Sequence, residues 1–457
     1  MSFIKSALKK SKYDKSILAI WLPSAASLLV YPLFYIVDTA IVGHLGTQQL
    51  AGLALGASLI SAITEVFMFL GFATISAVSI SLGLGDKKRA MRLGLDSIWL
   101  AVGIGIVIWT LLYFFTDEII NAFLSTTHEQ SALEAGEYAY TYLKTISWKV
   151  PFVLISFACN GVLRGMQRVR FSTFVSIVMS GVNIVLNFYF VYGLDLGIKG
   201  SALGTLVAQV LGGIALLIAV MRHILHEKVG IMPSWSGFAT TLSTGIPLFI
   251  RSLCLWATIV FLNAVSIYFG SVALAAMQVV ESIWLFGLLT LDALAIAAQT
   301  LIAEAIGKKD EKRIQALVNR ILQIALMTGI PLIFFQFIMG YFSMPMFTAD
   351  PEVQFYGMLA CFETGLIVMI CAVTFPLDGV LMAGEDMKYL AKVAFFGAVP
   401  TVILVLIARI ALPPEPWGII IIWFIFDGVY IGIRAILNYR RVKSNVWYKH
   451  AIESVSN

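Results

Sequence analysis

Residues 38–51 read DTAIVGHLGTQQLA, and residues 262–275, which lie 224 positions later, read LNAVSIYFGSVALA. In each stretch a glycine, Gly46 or Gly270, is followed four residues later by a Leu-Ala pair. The same offset relates Pro23 to Pro247, Gly83 to Gly307, Asp86 to Asp310, Lys88 to Lys312 and Arg89 to Arg313. The chain is therefore a duplication. Duplicated, strongly apolar chains are typical of secondary transporters, whose binding sites lie between or within the two halves.

The composition is that of a membrane protein. Apolar residues make up 60% of the 457 residues, charged residues only 12%, and the mean hydropathy is +0.91. A soluble domain has neither so few charges nor so many apolar residues. The basic residues recur between apolar runs and form no single surface, which argues against a nucleic-acid partner. We expect the lipid bilayer to surround most of the chain.

Twelve apolar runs are long enough to cross a bilayer, which takes about 20 residues each. They predict an all-α polytopic membrane protein. In the first half the runs are 16–42, 50–82, 94–115, 138–163, 171–192 and 200–221. In the second half they are 239–266, 272–305, 314–338, 355–379, 389–410 and 417–438.

Lys and Arg concentrate in alternate loops and at both ends, whereas the other loops carry mainly Asp and Glu. This positive-inside pattern predicts that both termini are cytoplasmic. Six spans in each half make the repeat parallel, so the two halves enter the membrane from the same side. We expect two six-helix lobes, 1–225 and 226–457, joined by a cytoplasmic loop at about 222–238.

One acidic residue breaks the repeat: the position equivalent to Asp38 in the second half is occupied by Leu262. Asp38 lies about five residues from the outer end of the first span, where an ionised carboxylate is costly unless it binds a proton or a cation. It is the first candidate for coupling to an ion gradient. The alternative is a carboxylate that faces a water-filled vestibule or is held by neighbouring hydroxyl groups. Pro32, six residues earlier, gives the helix a place to bend.

The fifth and sixth spans supply polar groups at a matching depth. Asn183 and Asn187 are spaced i, i+4 and point from one helix face, as do Thr205 and Gln209. With Asp38 they predict a polar pocket inside the first lobe. Interhelical hydrogen bonding in lipid is the alternative explanation for these amides and hydroxyls.

The second half carries its charges differently. Arg251 lies near the middle of the seventh span and requires an anionic partner, which Glu281 or Glu363 can supply. Structural pairing is the main interpretation, and a proton or substrate role is the alternative. The same two readings apply to three further charged residues in the spans: Glu65 and Lys149, which are candidates for a pair, and Asp292.

No enzyme motif is present. No Walker A sequence occurs, which excludes ATP as an energy source within this chain. No nucleophile or metal-ligand constellation is found either, so we expect no cofactor and no metal. The energy source is then a stored ion gradient, of H⁺ or alternatively of Na⁺. The four cysteines lie in apolar segments without disulfide or metal spacing: Cys159, Cys254, Cys361 and Cys371.

Four segments resemble the multidrug and toxic compound extrusion (MATE) family, more closely its DinF-like branch: Val37–Gly46, Leu50-Ala51, Asn160–Gly165 and Gly193–Thr205. The resemblance covers essentially the whole chain. It implies two six-helix bundles around a central V-shaped cavity. It also implies alternating access, in which an H⁺ or Na⁺ gradient drives efflux of amphipathic, often cationic compounds.

Site residues follow from the resemblance position by position. Asp38 matches the acid of the family's first helix, Asn183 an Asn of the fifth and Thr205 a Thr of the sixth. Where the family often has a second acid, this chain has Asn187, and the lost charge favours a proton over Na⁺. The resemblance implies acids on the seventh and tenth helices in the Na⁺-coupled branch, but the seventh span here offers Arg251 and no acid, which argues against Na⁺ coupling.

We therefore predict an antiporter that exports amphipathic, cationic drugs or toxic compounds in exchange for protons. The alternatives are Na⁺-coupled efflux and a lipid-linked oligosaccharide flippase of the wider superfamily. We expect a monomer in a bacterial inner membrane, with small organic substrates as its partners. The predicted cavity residues are Phe34, Tyr35, Gln209, Glu281 and Arg251.

Overall fold

A computed structural model describes residues 9–124 and 130–456, and within these ranges the chain is helical and contains no strand. Within these described ranges, twelve helices are long and apolar enough to span a membrane, which confirms the predicted fold class. In the first half they are α1 (Asp14–Gly43), α2 (Gln48–Gly83), α3 (Lys87–Phe114), α4 (Leu133–Gly165), α5 (Val169–Gly193) and α6 (Gly197–His226). In the second half they are α7 (Gly237–Phe269), α8 (Ser271–Gly307), α9 (Glu311–Phe342), α10 (Pro351–Ala383), α11 (Met387–Ala411) and α12 (Gly418–Lys443).

Five of the twelve described spans depart locally from α-helical geometry, and one of them, α7, ends in a 3₁₀ turn at Ile267–Phe269. A turn separates Thr47–Val66 from Phe69–Gly83 in α2, and α4 contains a 3₁₀ turn at Ser147–Lys149. Single π-helical segments occur at Tyr189–Gly193 in α5 and at Phe426–Ile431 in α12. Such π segments are often found at functional sites. Three short helices lie outside the spans: Thr116–Leu124, Met344–Phe347 and Val446–Ser456.

The described residues pack as two compact units. The first unit is Ala26–Ser243, and the second is Thr244–Asn457 together with the residues up to Ala25. The unit boundaries fall inside α1 and α7, so the start of each of these helices packs in one unit and the remainder in the other. The division of the sequence at residue 225 stays a prediction about the two repeats.

Two related positions anchor the starts of these two helices. In the second unit, Asp14 of α1 accepts hydrogen bonds from Arg320 of α9, at 2.6 Å from Nε and 2.9 Å from Nη2. In the first unit, the buried Asp96 of α3 accepts bonds from the backbone nitrogen (2.8 Å) and hydroxyl (2.6 Å) of Ser234. Asp96 and Arg320 are separated by the 224 residues of the repeat. The two halves thus use equivalent positions, with opposite charge, for the same structural purpose.

The core of the second unit is built around α8 and α10. A Cβ at Gly379 of α10 would lie 2.3 Å from the Ala295 carbonyl oxygen of α8, so only glycine permits this approach. Aromatic side chains fill the space next to α12, where Trp284 contacts Trp423 and Phe426 with ring centroids 5.8 and 5.9 Å apart. These contacts fix α12 against α8.

Candidate coupling site

Asp38 lies five residues before the end of α1 and is bonded to side chains of two other helices. Asn187 of α5 donates from Nδ2 to the Asp38 carboxylate at 2.5 Å. Thr205 of α6 also forms a side-chain hydrogen bond with Asp38. The structure therefore brings together the acid and two of the residues that the sequence predicted as its partners.

A second layer of bonds orients these partners. Asn183 of α5 donates to the Thr205 hydroxyl at 2.9 Å, and it accepts a long bond of 3.5 Å from Asn187. Asn183 and Asn187 are both buried, and the Asn187 Oδ1 atom has no hydrogen-bond partner among the described residues. All four predicted coupling residues thus form one network inside the first unit.

Gly204 is what lets α6 approach α5 at this point. A Cβ on Gly204 would lie 1.9 Å from Asn187 Oδ1 and 2.8 Å from the Asn187 backbone nitrogen. No other residue type fits there without moving the Asn187 side chain or separating the helices. The glycine therefore belongs to the site, although its own atoms bind nothing.

A lysine stands near the acid. Lys149 closes the 3₁₀ turn of α4, is only 8% exposed, and lies close enough to Asp38 for their charges to interact. Such a buried ammonium group is stabilised by a nearby carboxylate. The sequence identified Lys149 as a charged span residue but proposed Glu65 as its partner, and a Glu65–Lys149 pair stays a prediction. Only a three-dimensional fold brings residues 38 and 149 together.

Gln209, one of the predicted cavity residues of the first unit, does not bond to this network. Gln209 donates instead to the Ser156 hydroxyl of α4, at 3.3 Å. Phe34 is half-buried, and the side chain of Tyr35 lies outside the described residues. A role for these residues in a substrate cavity stays a prediction.

In the second unit, the predicted partners of Arg251 are wrong. Arg251 of α7 donates to Asp378 of α10 at 2.6 Å. Asp378 also accepts bonds from Arg434 and, at 2.6 Å, from Asn438, both on α12. This buried carboxylate is the shared anionic partner of two arginines that lie within membrane spans.

The two glutamates have other surroundings. Glu281 of α8 accepts a long bond of 3.5 Å from Asn263 of α7. Both carboxylate oxygens of Glu363 on α10 are shielded from solvent and have no partner among the described residues, and the same holds for Asp427 on α12. Sequence reasoning missed Asp378, Asp427 and Arg434, although each is a charged residue within or next to an apolar run.

No group of three or more His, Cys, Asp or Glu side chains is placed to hold a metal ion in residues 9–124 and 130–456. The four cysteines are free, in keeping with their reading as small core residues. The chemistry available at Asp38 is therefore that of one carboxyl group, surrounded by neutral donors and one ammonium group.

The sequence model of the MatE family matches residues 23–189 and 247–407, one match in each half of the duplication. The chain belongs to the MatE family. It is accordingly a membrane transporter and not an enzyme, as the sequence predicted.

Relatives of this MatE protein occur in plants and bacteria. It is 24% identical to Protein DETOXIFICATION 42 of Arabidopsis thaliana, over 96% of this chain and 94% of that protein. It is 27% identical to the DNA damage-inducible protein F of Escherichia coli, over 68% of this chain and 66% of that protein. The structure of a multidrug resistance MATE family transporter in an outward-facing conformation superposes with a TM-score of 0.83, at 20% identity, over 100% of this chain and 99% of that one. This likeness supports the twelve-helix fold.

Proposed function

We propose that this protein is a secondary antiporter that exports amphipathic, cationic organic compounds in exchange for protons, with Asp38 as the protonation site. The observation that carries the proposal is the network around Asp38. One carboxyl group, held by Asn187 and Thr205 within a membrane span, can exist in two charge states that need different hydrogen bonds. Several relatives are named as multidrug proteins, among them the probable multidrug resistance protein NorM of Thermotoga maritima.

The surroundings of Asp38 favour a proton over Na⁺. Sodium binding requires several oxygen ligands and a net negative site. Here Asn187 points its amide nitrogen at Asp38, and Lys149 already supplies one positive charge nearby. Adding Na⁺ would leave the carboxylate–ammonium pair with a net positive charge inside the membrane. A proton on Asp38 adds the same single positive charge but needs no coordination shell.

Coupling follows from the two hydrogen-bonding states of Asp38. Ionised Asp38 needs the donors of Asn187 and Thr205, whereas the protonated acid needs fewer donors and offers one itself. If the two states favour different arrangements of α1 against α5 and α6, substrate that prefers one arrangement is released when the other forms. Pro32 of α1 gives that helix a bend point.

The substrate class and the location belong to the same proposal. Permissive apolar and aromatic linings suit amphipathic molecules of varied shape. Arg251 and Arg434 share one carboxylate within the second unit, so they are engaged and are poor candidates for binding a pyrophosphate headgroup. This favours drug efflux over the flippase alternative. The protein would work as a monomer in a bacterial inner membrane with both termini in the cytoplasm.

The test is transport by purified protein in proteoliposomes, with a pH gradient or a Na⁺ gradient imposed separately. We expect the pH gradient alone to drive accumulation of a fluorescent organic cation, and Asp38→Asn to abolish it. Asp195→Asn, which changes an exposed carboxylate in the loop after α5, is the matched control and should transport normally. Accumulation driven only by Na⁺ would refute proton coupling, and selective movement of lipid-linked oligosaccharide would favour the flippase.

A further inference from the structure

The second unit contains two acidic side chains for which the described residues provide no hydrogen-bond partner. Asp427 of α12 is fully buried, and the carboxylate oxygens of Glu363 on α10 are shielded from solvent. The two groups lie close enough for the charge of Asp427 to act on Glu363, and it also acts on Cys371 of α10. These acids share one neighbourhood, and it lies outside the first unit that holds Asp38.

Among the described residues, no cation is bonded to either carboxylate. Arg434, which follows Asp427 on α12, is engaged elsewhere: its Nη2 donates to Asp378, and its guanidinium lies over the rings of Phe375 and Tyr430. Removing an unpaired carboxylate from water costs several kcal/mol, and two neighbouring carboxylates also repel each other. A proton on one of the two acids removes the repulsion and leaves one buried charge in place of two, so we expect at least one of the acids to be protonated.

A further buried polar group belongs to the same segment. Asp427 and Tyr430 both lie on the π-helical segment Phe426–Ile431, and the fully buried Tyr430 hydroxyl also has no partner among the described residues. An unpaired hydroxyl and an unpaired carboxyl group on one short helical segment are unusual, because most buried polar groups are satisfied. Among the described residues, the titratable groups that interact with these acids are the acids themselves and Cys371 of α10. Arg434, Arg251, Cys254 and Asp378 surround the Tyr430 hydroxyl instead.

We propose that Asp427 and Glu363 form a second proton-binding site, located in the second unit. Binding forms one O–H bond on a carboxylate oxygen and breaks one O–H bond of hydronium, so the negative charge of the pair falls by one. A proton fits this site better than Na⁺, since the neighbourhood offers a thiol and aromatic rings and no group of three His, Cys, Asp or Glu ligands among the described residues. A role for this site in a transport cycle rests on the proposed function. Its protonation does not, because protonation can be measured without transport.

The test is infrared spectroscopy of the purified full-length protein at neutral pH, which detects the carbonyl stretch of a protonated carboxylic acid. The parent protein is Asp38→Asn, so that Asp38 does not contribute. We expect the band to be lost when Glu363→Gln and Asp427→Asn are combined, and at least one single variant to reduce it. Glu352→Gln, an exposed acid at the start of the same helix α10, is the matched control and should leave the band unchanged.

Two results would overturn the proposal. One is a band that is equally strong in the parent and in the double variant; if the double variant does not fold, an unchanged band in both single variants has the same meaning. The other is a band that disappears when Na⁺ is added to the parent, which would make the pair a cation site. Failure of Asp38→Asn to affect transport would instead refute the proposed coupling residue and leave this site untouched.

Discussion

The contact between Gly204 and Asn187 offers a way to disturb the coupling site without changing any polar group. In Gly204→Ala the new Cβ would lie 1.9 Å from Asn187 Oδ1 and 2.8 Å from the Asn187 backbone nitrogen. Both separations are far below van der Waals contact, so the amide must turn away or α5 and α6 must separate. Overpacking of this kind costs about 1–3 kcal/mol in stability.

The same movement breaks the bond from Asn187 to Asp38. A hydrogen bond to a charged group contributes about 1.5–3 kcal/mol, and only the ionised state of the acid depends on this donor. Its loss makes the proton-bound state of the site easier to reach. Because each pH unit corresponds to about 1.4 kcal/mol, we expect the pH midpoint of transport to rise by about one to two units.

The assay is the initial rate of substrate transport in proteoliposomes across a series of pH values, with thermal unfolding in detergent as a check on folding. Asn187→Ala should raise the midpoint in the same direction, since it removes the donor directly. Gly181→Ala on α5 is the matched control, because a Cβ there meets no atom within 4 Å. A folded Gly204→Ala protein with the wild-type pH midpoint would refute the assigned role of Asn187.

Three further outcomes are expected. Lys149→Gln removes the ammonium group near Asp38, so Na⁺ should begin to stimulate transport that is Na⁺-independent in the wild type; unchanged Na⁺ independence would contradict the role given to Lys149. Asp378→Asn leaves two buried arginines without an anion and should lower the free energy of unfolding by about 3–5 kcal/mol in thermal or denaturant unfolding, whereas the exposed Asp195→Asn should not. A cysteine at Ser444 should react with impermeant reagents from the cytoplasmic side and one at Ala349 from the opposite side; labelling from the same side would contradict the orientation.

The helices were predictable because each apolar run is long and because both halves of the duplicated sequence show the same order of apolar runs. The main differences are at helix starts. The run 94–115 became Lys87–Phe114 because Asp86 caps the helix and accepts a bond from the Arg89 backbone nitrogen at 2.8 Å. Asp310 does the same for α9, with a 3.0 Å bond from Arg313. Hydropathy marks only the part of a helix that lies in lipid, whereas capping sets where the helix begins.

The network around Asp38 was predictable for a related reason. The i, i+4 spacing puts Asn183 and Asn187 on one face, and their depth matches that of Asp38. Lys149 was not assigned to this site, because depth and spacing do not say which helices touch. Asp38 and Lys149 are separated by more than a hundred positions in the sequence.

Asp378 was missed because of where the tenth span was expected to end. The predicted run stopped at residue 379, so an acid at 378 resembled an ordinary residue at the membrane edge. In the structure α10 continues to Ala383, and the Asp378 side chain is 2% exposed, between two arginines. Asp427 lies in the middle of the predicted run 417–438, so its charge was a signal that could have identified it. The π-helical segment that carries it has no such mark in the sequence.

The measurement that tests the central claim most directly is the steady-state accumulation of substrate against an imposed pH gradient in proteoliposomes. If one proton bound at Asp38 is exchanged for each substrate molecule of equal charge, the accumulation ratio should rise about tenfold for each pH unit, since both correspond to about 1.4 kcal/mol. In Asp38→Asn the ratio should stay near one at every gradient, while the protein remains folded and inserted. An Asp38→Asn protein that still accumulates substrate in proportion to the pH gradient would contradict the account.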